Sequence, residues 1–283
     1  MAGKIWTAQE RQTREPVDRL SALPPQHFTR RVEQAIEDGE FTLVFQPQAD
    51  VRTGQITGCE ALSRWQLPDG TRLPPAMFIS KAEDGEAIFR IGDWSLRKAC
   101  QQMADWKGAF QVELTVSVNL SARQLTQPGL IMKIADILAE TGLPARQLIL
   151  ELTETSLLDH DPVVTKTLTA LCGLGVGLEL DDFGTGYASL ALLTKLPLTA
   201  LKIDKSFVQH MPGSRQSAII VQYVIRLAHD LNLCVVAEGV ETSEQRLYLH
   251  AYGCDRMQGY WLAPPLAPER LSEMFHPRNH CNQ

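Results

Sequence analysis

Residues 41–65 read FTLVFQPQADVRTGQITGCEALSRW and contain two stretches with strand character, Phe41–Pro47 and Gln55–Trp65. Both are rich in β-branched and aromatic residues, as strands are. Only the seven residues Gln48–Gly54 separate them, whereas a parallel crossover needs about a dozen residues or more. The first strand is therefore expected to run antiparallel to the second, as a hairpin that turns near Thr53-Gly54.

The rest of the chain alternates between strand and helix patterns. Six further stretches have strand character: Leu114–Ser121, Leu148–Thr153, Val176–Asp182, Leu201–Phe207, Cys234–Val240 and Met257–Ala263. Helical patterns lie between most of them: Ala87–Trp106, Leu130–Thr141, Asp161–Leu171, Ser217–Asn232 and Ser243–Tyr252. Such alternation is typical of βα units and a parallel sheet. The sequence therefore predicts an α/β fold, a modified TIM-type (β/α)8 barrel with the first strand antiparallel to the second.

The length of the chain agrees with one barrel domain. At 283 residues two ordinary domains of about 150 residues would be expected, but an α/β barrel closes about 250 residues as one domain. Residues 1–27 have little apolar periodicity and are expected to form a tail or linker. The barrel domain is predicted over 28–276, with its first helix at Arg30–Glu37, and 277–283 form a polar C-terminal tail.

The composition is that of an ordinary globular protein, with 44% hydrophobic and 21% charged residues. The net charge of −6 and the lack of a basic run argue against a polymeric nucleic acid as partner. No apolar run approaches the roughly 18 residues of a membrane span, and the polar N-terminus lacks the apolar stretch of a signal peptide. We therefore expect no membrane insertion and a cytoplasmic location.

The cysteines and histidines have no pattern of a metal site or a disulfide framework. The six cysteines are Cys59, Cys100, Cys172, Cys234, Cys254 and Cys281. They include no C-x-x-C spacing, and several lie in apolar stretches such as Leu171-Cys172 and Leu233-Cys234-Val235. Buried free thiols in a reducing compartment are expected, in preference to disulfides or zinc ligands. His210, His229 and His250 lie on or beside helices and are expected at the surface.

Acidic side chains dominate the predicted carboxyl ends of the strands, where parallel barrels place their chemistry. The polar residues there are Glu60, Arg64, Asn119, Glu151, Glu154, Asp181, Asp182, Lys202, Asp204, Glu238, Glu241 and Gln258. Converging carboxylates resist ionisation unless a cation compensates them. Oxygen ligands without histidine or cysteine suit Mg²⁺ or Mn²⁺ rather than zinc. The adjacent pair Asp181-Asp182 fits a site with two metals, and such sites typically hydrolyse phosphate esters.

The segment Asp182–Tyr187, DFGTGY, directly follows the fifth of these strand ends. Two glycines allow its backbone to move and to approach a ligand closely. We expect this segment to form a lid over the site.

Taken in order, these motifs resemble the EAL-domain family of cyclic di-GMP phosphodiesterases. The resemblance runs from about Arg31 to Phe275. It rests on Glu60-Ala61-Leu62 with Arg64-Trp65, Asn119-Leu120-Ser121, Glu151-Leu152-Thr153-Glu154, Asp181–Tyr187, Leu201-Lys202-Ile203-Asp204, Ala237–Thr242 and Gln258-Gly259-Tyr260. Any one of these motifs is unspecific, whereas seven in order at fitting intervals are highly specific. The family's fold is an eight-stranded barrel with a reversed first strand, in agreement with the hairpin above.

The resemblance implies hydrolysis of cyclic di-GMP to the linear dinucleotide pGpG with two Mg²⁺ or Mn²⁺ ions per site. The implied ligands of one metal are Glu60, Asn119, Glu151 and Asp181; Asp181 and Asp182 reach the second, with Glu238 close by. Lys202 is implied to position the attacking water or hydroxide. Glu241 and Gln258 are implied to support the metals and their water, and Glu154 to steady the lid.

The resemblance also implies a set of residues that bind the substrate, and a homodimer. The implied substrate contacts are Gln46, Glu60, Leu62, Arg64 and Asp204. A homodimer through helices beside the Asp182–Tyr187 loop is implied for the chain as well.

Glu179 departs from the family pattern, which generally has a small or apolar residue there. It shares the strand face of Asp181. Glu179 either pairs with a cation such as Lys202 or marks a shifted local register.

Two alternative functions are consistent with parts of the sequence. One is a catalytically silent cyclic di-GMP receptor of the same fold, against which the complete set of metal-ligand types argues. The other is a Mg²⁺-dependent lyase barrel with Lys202 as base, which would not explain the lid motif.

Overall fold

The computed structural model describes residues 18–154, 162–184 and 193–275. Its strands are β1 Phe41–Asp50, β2 Ile56–Gln66, β3 Arg72–Leu73, β4 Thr115–Asn119, β5 Leu148–Thr153, β6 Gly177–Phe183, β7 Ala200–Ile203, β8 Cys234–Ala237 and β9 Arg256–Gln258. Its helices are α1 Pro25–Glu37, α2 Pro75–Glu83, α3 Ala87–Phe110, α4 Ala122–Leu125, α5 Leu130–Thr141, α6 Pro162–Gly173, α7 Lys205–Gln209, α8 Arg215–Asp230, α9 Ser243–Tyr252 and α10 Pro268–Ser272. Among the described residues, no helix has both the length and the apolar character needed to cross a membrane.

The chain divides into two compact units. The first comprises residues up to Leu43 together with Ser63–Trp94, and the second comprises Val44–Leu62 together with the residues from Ser95 onward.

The second unit contains a closed eight-stranded barrel. Its strand order is β1-β9-β8-β7-β6-β5-β4-β2, and β1 also pairs with β2, which closes the ring. Every neighbouring pair from β2 round to β9 is parallel, whereas β1 runs antiparallel to β9. Since β1 opposes the direction of all the other barrel strands, the predicted barrel with a reversed first strand is confirmed.

The turn between β1 and β2 lies where the sequence placed it. The Asp50 carboxylate accepts hydrogen bonds from the backbone N–H of Thr53 at 2.6 Å and from its hydroxyl at 2.7 Å. Gly54 follows in the left-handed region, with φ +73°. An aspartate that binds its own backbone in this way replaces a backbone acceptor and stabilises a tight turn. The chain therefore reverses within a few residues, too few for a crossover helix.

The first unit has its own apolar core around Trp65, which is 1% exposed. The Trp65 ring lies against Phe28, Phe41 and Phe78, with ring centroids 5.9, 4.7 and 5.8 Å away. Its indole N–H donates to the Glu40 carboxylate at 2.8 Å. A buried tryptophan needs such a partner for its one polar atom. The Trp65 of the strand-end motif is therefore a core residue of this unit.

Most predicted elements are present with shifted ends. Helices α5 and α9 have the predicted bounds, whereas α1 begins five residues earlier than predicted, at Pro25. The last two strands end at Ala237 and Gln258, whereas they were predicted to continue to Val240 and Ala263. Strand β3 and helix α2 were not predicted; α2 begins at Pro75, where proline is tolerated because the first-turn N–H groups of a helix have no partner within it.

The predicted strand Leu201–Phe207 is wrong in its second half. Strand β7 ends at Ile203, and α7 begins at Lys205. The side chain of Asp204 accepts a hydrogen bond from the backbone N–H of Ser206 at 2.9 Å. Aspartate at this N-cap position satisfies a first-turn N–H and so favours the helix over a longer strand.

The thiol prediction holds for some cysteines and fails for others. The buried free thiols are those of Cys59, Cys100 and Cys254. Burial raises the pKa of Cys100 and Cys254 to about 12. Cys172 and Cys234 are exposed; their predicted burial is wrong because the neighbours Leu171 and Val235 are the residues that face the core. Cys281 lies outside the described residues, and the histidines are exposed as predicted: His210, His229 and His250.

Candidate metal centre

Carboxylates that lie on or directly after four barrel strands meet around the ammonium group of Lys202, which β7 places in the interior with 0% exposure. Its Nζ lies 2.7 Å from Glu151 and 2.7 Å from Glu238. Asp181 is 3.1 Å away and Glu60 is 3.8 Å away. The sequence predicted these residues at one rim, and the structure brings them to a single cation.

Asn119 joins the same cluster from the end of β4. Parallel pairing places it opposite Glu151 of β5. Its side-chain N–H donates to the Glu60 carboxylate at 2.9 Å. Since the nitrogen is used in this way, the amide oxygen is the atom that Asn119 has for a cation.

Asp181 and Asp182 reach the cluster through an irregularity in β6. The register against β7 shifts between Leu180 and Phe183. Asp182 has φ +55°, which is uncommon for a residue other than glycine and recurs at functional sites. Carboxylate oxygens of Asp181, Asp182 and Glu238 consequently lie within 4.8 Å of one another. Straight alternation along the strand would direct the two neighbouring aspartates to opposite faces.

Burial and mutual repulsion disfavour the charged form of several of these carboxylates. Burial, together with the neighbouring charge of Glu60, raises the pKa of Glu151 well above its usual range. Burial raises the pKa of Glu238 to about 7, and the Asp181 carboxylate adds to the effect. Burial and Asp181 also raise the pKa of Asp182. The cluster therefore requires more positive charge than Lys202 supplies.

Glu60 and Lys202 show the opposite balance. Burial alone would raise the pKa of Glu60, but Lys202 and hydrogen bonds from Gln258 and Asn119 lower it below its usual value. Burial alone would lower the pKa of Lys202, but Glu151 and the other carboxylates raise it well above its usual value. Lys202 is therefore a permanent cation of the centre.

The donor set fits divalent cations. The centre contains five carboxylates, those of Glu60, Glu151, Asp181, Asp182 and Glu238, and one ammonium group, that of Lys202, which pairs with all of them except Asp182. One carboxylate oxygen of Glu151 is buried without a hydrogen-bond partner, an arrangement that is costly unless a cation or donor meets it. Lys202 balances one of the five formal negative charges, and two divalent cations would balance the other four. All the donors are oxygens, which Mg²⁺ and Mn²⁺ prefer.

Gln258 links the cluster to β1 through its side-chain amide. Its nitrogen donates to Glu60 at 2.7 Å and to the side-chain oxygen of Gln46 at 3.0 Å. Its oxygen accepts from the side-chain nitrogen of Gln48 at 3.0 Å. Gln48 was not predicted as a site residue, although β1 alternation places it on the same face as Gln46.

The structure describes the predicted lid only as far as Gly184, and Thr185–Tyr187 lie outside the described residues. Glu154, which follows β5 and is 3% exposed, accepts a hydrogen bond from the backbone N–H of Gly184 at 2.8 Å. Gly184 has φ +97°, and a Cβ there would lie 3.0 Å from the Phe207 ring. The first residues of the segment are therefore held by a buried carboxylate.

The remaining predicted site residues are Asp204, Glu241, Leu62 and Arg64. Asp204 caps α7, and its charge is one of those that raise the pKa of Asp182, after burial and Asp181. Glu241 is exposed and accepts from the Gln209 side chain at 2.9 Å. Leu62 is half-buried on β2, and Arg64 belongs to the first unit, where its guanidinium donates to the Ser63 carbonyl at 2.9 Å.

Glu179 pairs with a cation, but the cation is Arg256 and not Lys202. The Arg256 guanidinium lies 2.5 Å from the Glu179 carboxylate. The register is regular at this point, since Glu179 is opposite Glu151 on one side and Ala200 on the other. Of the two hypotheses for Glu179, ion pairing is confirmed; the local register is also shifted, but between Leu180 and Phe183 and not at Glu179 itself.

The fold and the carboxylate cluster define a modified (β/α)8 barrel with an acidic centre at the carboxyl ends of its strands. The chain belongs to the EAL domain family, which it matches over residues 29–265.

Two named relatives are similar in sequence to this chain. The cyclic di-GMP phosphodiesterase NbdA of Pseudomonas aeruginosa is 40% identical over 242 residues, which are 86% of this chain and 31% of NbdA. MucR of the same organism, a bifunctional diguanylate cyclase/cyclic di-GMP phosphodiesterase, is 38% identical over 84% of this chain and 35% of MucR. The chain spans 30 to 40% of the length of the curated relatives it matches.

Solved structures agree with the fold. The structure of the PaMucR phosphodiesterase in complex with c-di-GMP superposes with a TM-score of 0.81 at 37% identity. The match covers 86% of this chain and 98% of that one.

Proposed function

We propose that this chain hydrolyses cyclic di-GMP to the linear dinucleotide pGpG with the help of two divalent cations, Mg²⁺ or Mn²⁺. The observation that carries the proposal is the carboxylate cluster around Lys202, with oxygens of Asp181, Asp182 and Glu238 within 4.8 Å of one another. Membership of the EAL family and the names of NbdA and MucR supply the substrate.

Within this proposal, Glu60, Asn119, Glu151 and Asp181 hold one cation, and Asp181 and Asp182, with Glu238 nearby, hold the other. When bound, such a pair of ions stabilises charge on the transferring phosphoryl group and makes water a better nucleophile. Lys202 orients the water with its ammonium group, which is itself fixed by Glu151 and Glu238 at 2.7 Å each. Gln46, Leu62 and Asp204 contact the nucleotide, and Glu241 and Gln258 support the metal ligands and the water; the nucleotide contact that the resemblance implies for Arg64 stays a prediction.

The direct test is to incubate the purified chain with cyclic di-GMP and separate the products by chromatography. We expect conversion to pGpG with Mg²⁺ or Mn²⁺ and no conversion with a chelator. Ca²⁺ is expected to support little turnover, because it prefers six to eight loosely arranged ligands at longer distances. Binding of cyclic di-GMP without any metal-dependent turnover would contradict the proposal and favour a receptor.

The contact between Glu154 and Gly184 leads to a prediction on the lid. Replacing Glu154 with alanine removes the acceptor of the Gly184 N–H but no proposed metal ligand. We expect turnover to fall by about 10- to 100-fold, the size of effect that a slightly misplaced reacting group has. Binding of cyclic di-GMP is expected to fall less, because a lid acts mainly on assembly of the reactive complex.

The matched control is Glu154→Gln, whose amide oxygen can still accept the same hydrogen bond; it should remain close to wild type. Turnover and binding are measured on one preparation of each variant, with thermal melting as the check on folding. Unchanged turnover in Glu154→Ala, or an equal fall in turnover and binding, would show that Glu154 does not act through the lid.

A further inference from the structure

A continuous chain of hydrogen bonds in the second unit leads from Glu179 to Glu60. The Nη2 of Arg256 contacts the Glu179 carboxylate at 2.5 Å, and its Nη1 donates to the side-chain oxygen of Gln48 at 3.3 Å. The nitrogen of Gln48 donates to the oxygen of Gln258 at 3.0 Å, and the nitrogen of Gln258 donates to Glu60 at 2.7 Å. Both Gln48 and Glu179 are 0% exposed.

The orientation of the two glutamine amides in these hydrogen bonds follows from the chemistry of Arg256. A glutamine amide has a donor nitrogen and an acceptor oxygen of nearly the same shape, so it can lie either way round. A guanidinium group has donors only. Arg256 therefore requires the oxygen of Gln48 to face it, which leaves the Gln48 nitrogen to face Gln258. By the same reasoning, the nitrogen of Gln258 must face Glu60.

We propose that Arg256, held by Glu179, is a positioning residue for the metal centre: it fixes both amides so that Gln258 presents a donor to Glu60. An ionised carboxylate only accepts hydrogen bonds. If the Gln258 amide were reversed, its oxygen would meet the Glu60 carboxylate and repel it. The inference rests on the proposed function, in which Glu60 is a metal ligand.

The role of Glu179 follows from the burial of Arg256. The Arg256 side chain is 16% exposed, and a buried guanidinium without a partner is strongly destabilising. Glu179 is the carboxylate that compensates it, from the strand face that also carries Asp181. The need to compensate Arg256 explains why position 179 carries a charged residue, and it makes Glu179 part of the support of the metal centre.

The decisive variant is Gln48→Glu, because it keeps the size of the side chain and its contact with Arg256. The new carboxylate offers no donor to Gln258 and instead competes with Glu60 for the Gln258 nitrogen, so the amide loses its fixed orientation and its donation to Glu60 weakens. We expect the Kd for Mn²⁺, titrated without substrate, to rise by about 10- to 100-fold, as is usual when an outer partner of a metal ligand is lost. An added negative charge acting only through Coulomb attraction would lower the Kd, so the sign of the change separates the two effects.

Gln48→Leu is the second variant, since it removes the donor without adding a charge; a smaller rise in the Mn²⁺ Kd is expected. The matched control is Gln147→Leu, which removes another buried glutamine amide, one that donates to the Leu114 carbonyl at 2.9 Å outside this chain of bonds. Its Mn²⁺ affinity should equal that of wild type. Thermal melting without metal checks the folding of each variant.

The outcomes separate this inference from the proposed function. Wild-type Mn²⁺ affinity in folded Gln48→Glu, or in Gln48→Leu if the first variant does not fold, would overturn the positioning role alone. Failure of the wild-type chain to bind Mn²⁺ would overturn the proposed function and the positioning role together.

Discussion

Replacing Glu151 with glutamine is expected to reduce hydrolysis of cyclic di-GMP by on the order of 1,000-fold, comparable to losing a main group that stabilises transition-state charge. The substitution preserves the size of the side chain but removes its charge. Glu151 is 1% exposed and lies 2.7 Å from Lys202, and its second oxygen has no hydrogen-bond partner. The substitution removes one negative charge from the proposed metal ligands, so the binding of cations should weaken together with the rate.

The matched control is Glu113→Gln, which removes a carboxylate that is 69% exposed and pairs with Arg146. This variant should hydrolyse cyclic di-GMP at the wild-type rate. Initial rates and the Kd for Mn²⁺ are measured on both proteins. A Glu151→Gln variant that is as active as Glu113→Gln at saturating Mg²⁺ would refute the assignment of the centre.

Replacing Lys202 with methionine is expected to reduce hydrolysis by about 10²- to 10⁴-fold, the range for a group that acts on proton transfer in the transition state. Unlike Glu151→Gln, it removes no ligand, so the variant should still bind Mn²⁺. Without metal its melting temperature should fall, because four carboxylates lose the cation that they share. Added Mn²⁺ should restore much of this loss.

Lys166→Met serves as control, since Lys166 is exposed on α6 and its loss should change none of these quantities. Loss of Mn²⁺ binding in Lys202→Met, to the same extent as in Glu151→Gln, would show that Lys202 acts by arranging the ligands. Full activity of Lys202→Met would show that the ammonium group has no part in the reaction.

The barrel and the composition of its rim were predictable because they depend on local spacing. Seven residues between Pro47 and Gln55 are too few for a crossover, whatever the rest of the chain does. Carboxylates at the ends of parallel strands are brought to one edge by the direction of the strands alone. Glu60, Glu151, Asp181 and Glu238 were found in this way.

Other local features were missed because short-range chemistry overrode the strand pattern. The run Leu201–Phe207 is apolar enough for a longer strand, but the Asp204 side chain binds the Ser206 N–H and starts a helix. Cys172 and Cys234 lie among apolar residues, but their own side chains are on the outward face. In both cases the hydrophobic pattern alone did not show which way a side chain points.

The sequence by itself determined which strands form the barrel, which way the first one runs, and which acidic residues reach its rim. Only the tertiary structure decided the partners: Lys202 joins carboxylates from other strands, and Glu179 pairs with Arg256, 77 residues away. Gln48 reaches Gln258 across 210 residues because β1 and β9 pair when the barrel closes. Spacing along one strand fixes the face of a residue, whereas its partner inside the barrel depends on the register and closure of all the strands together.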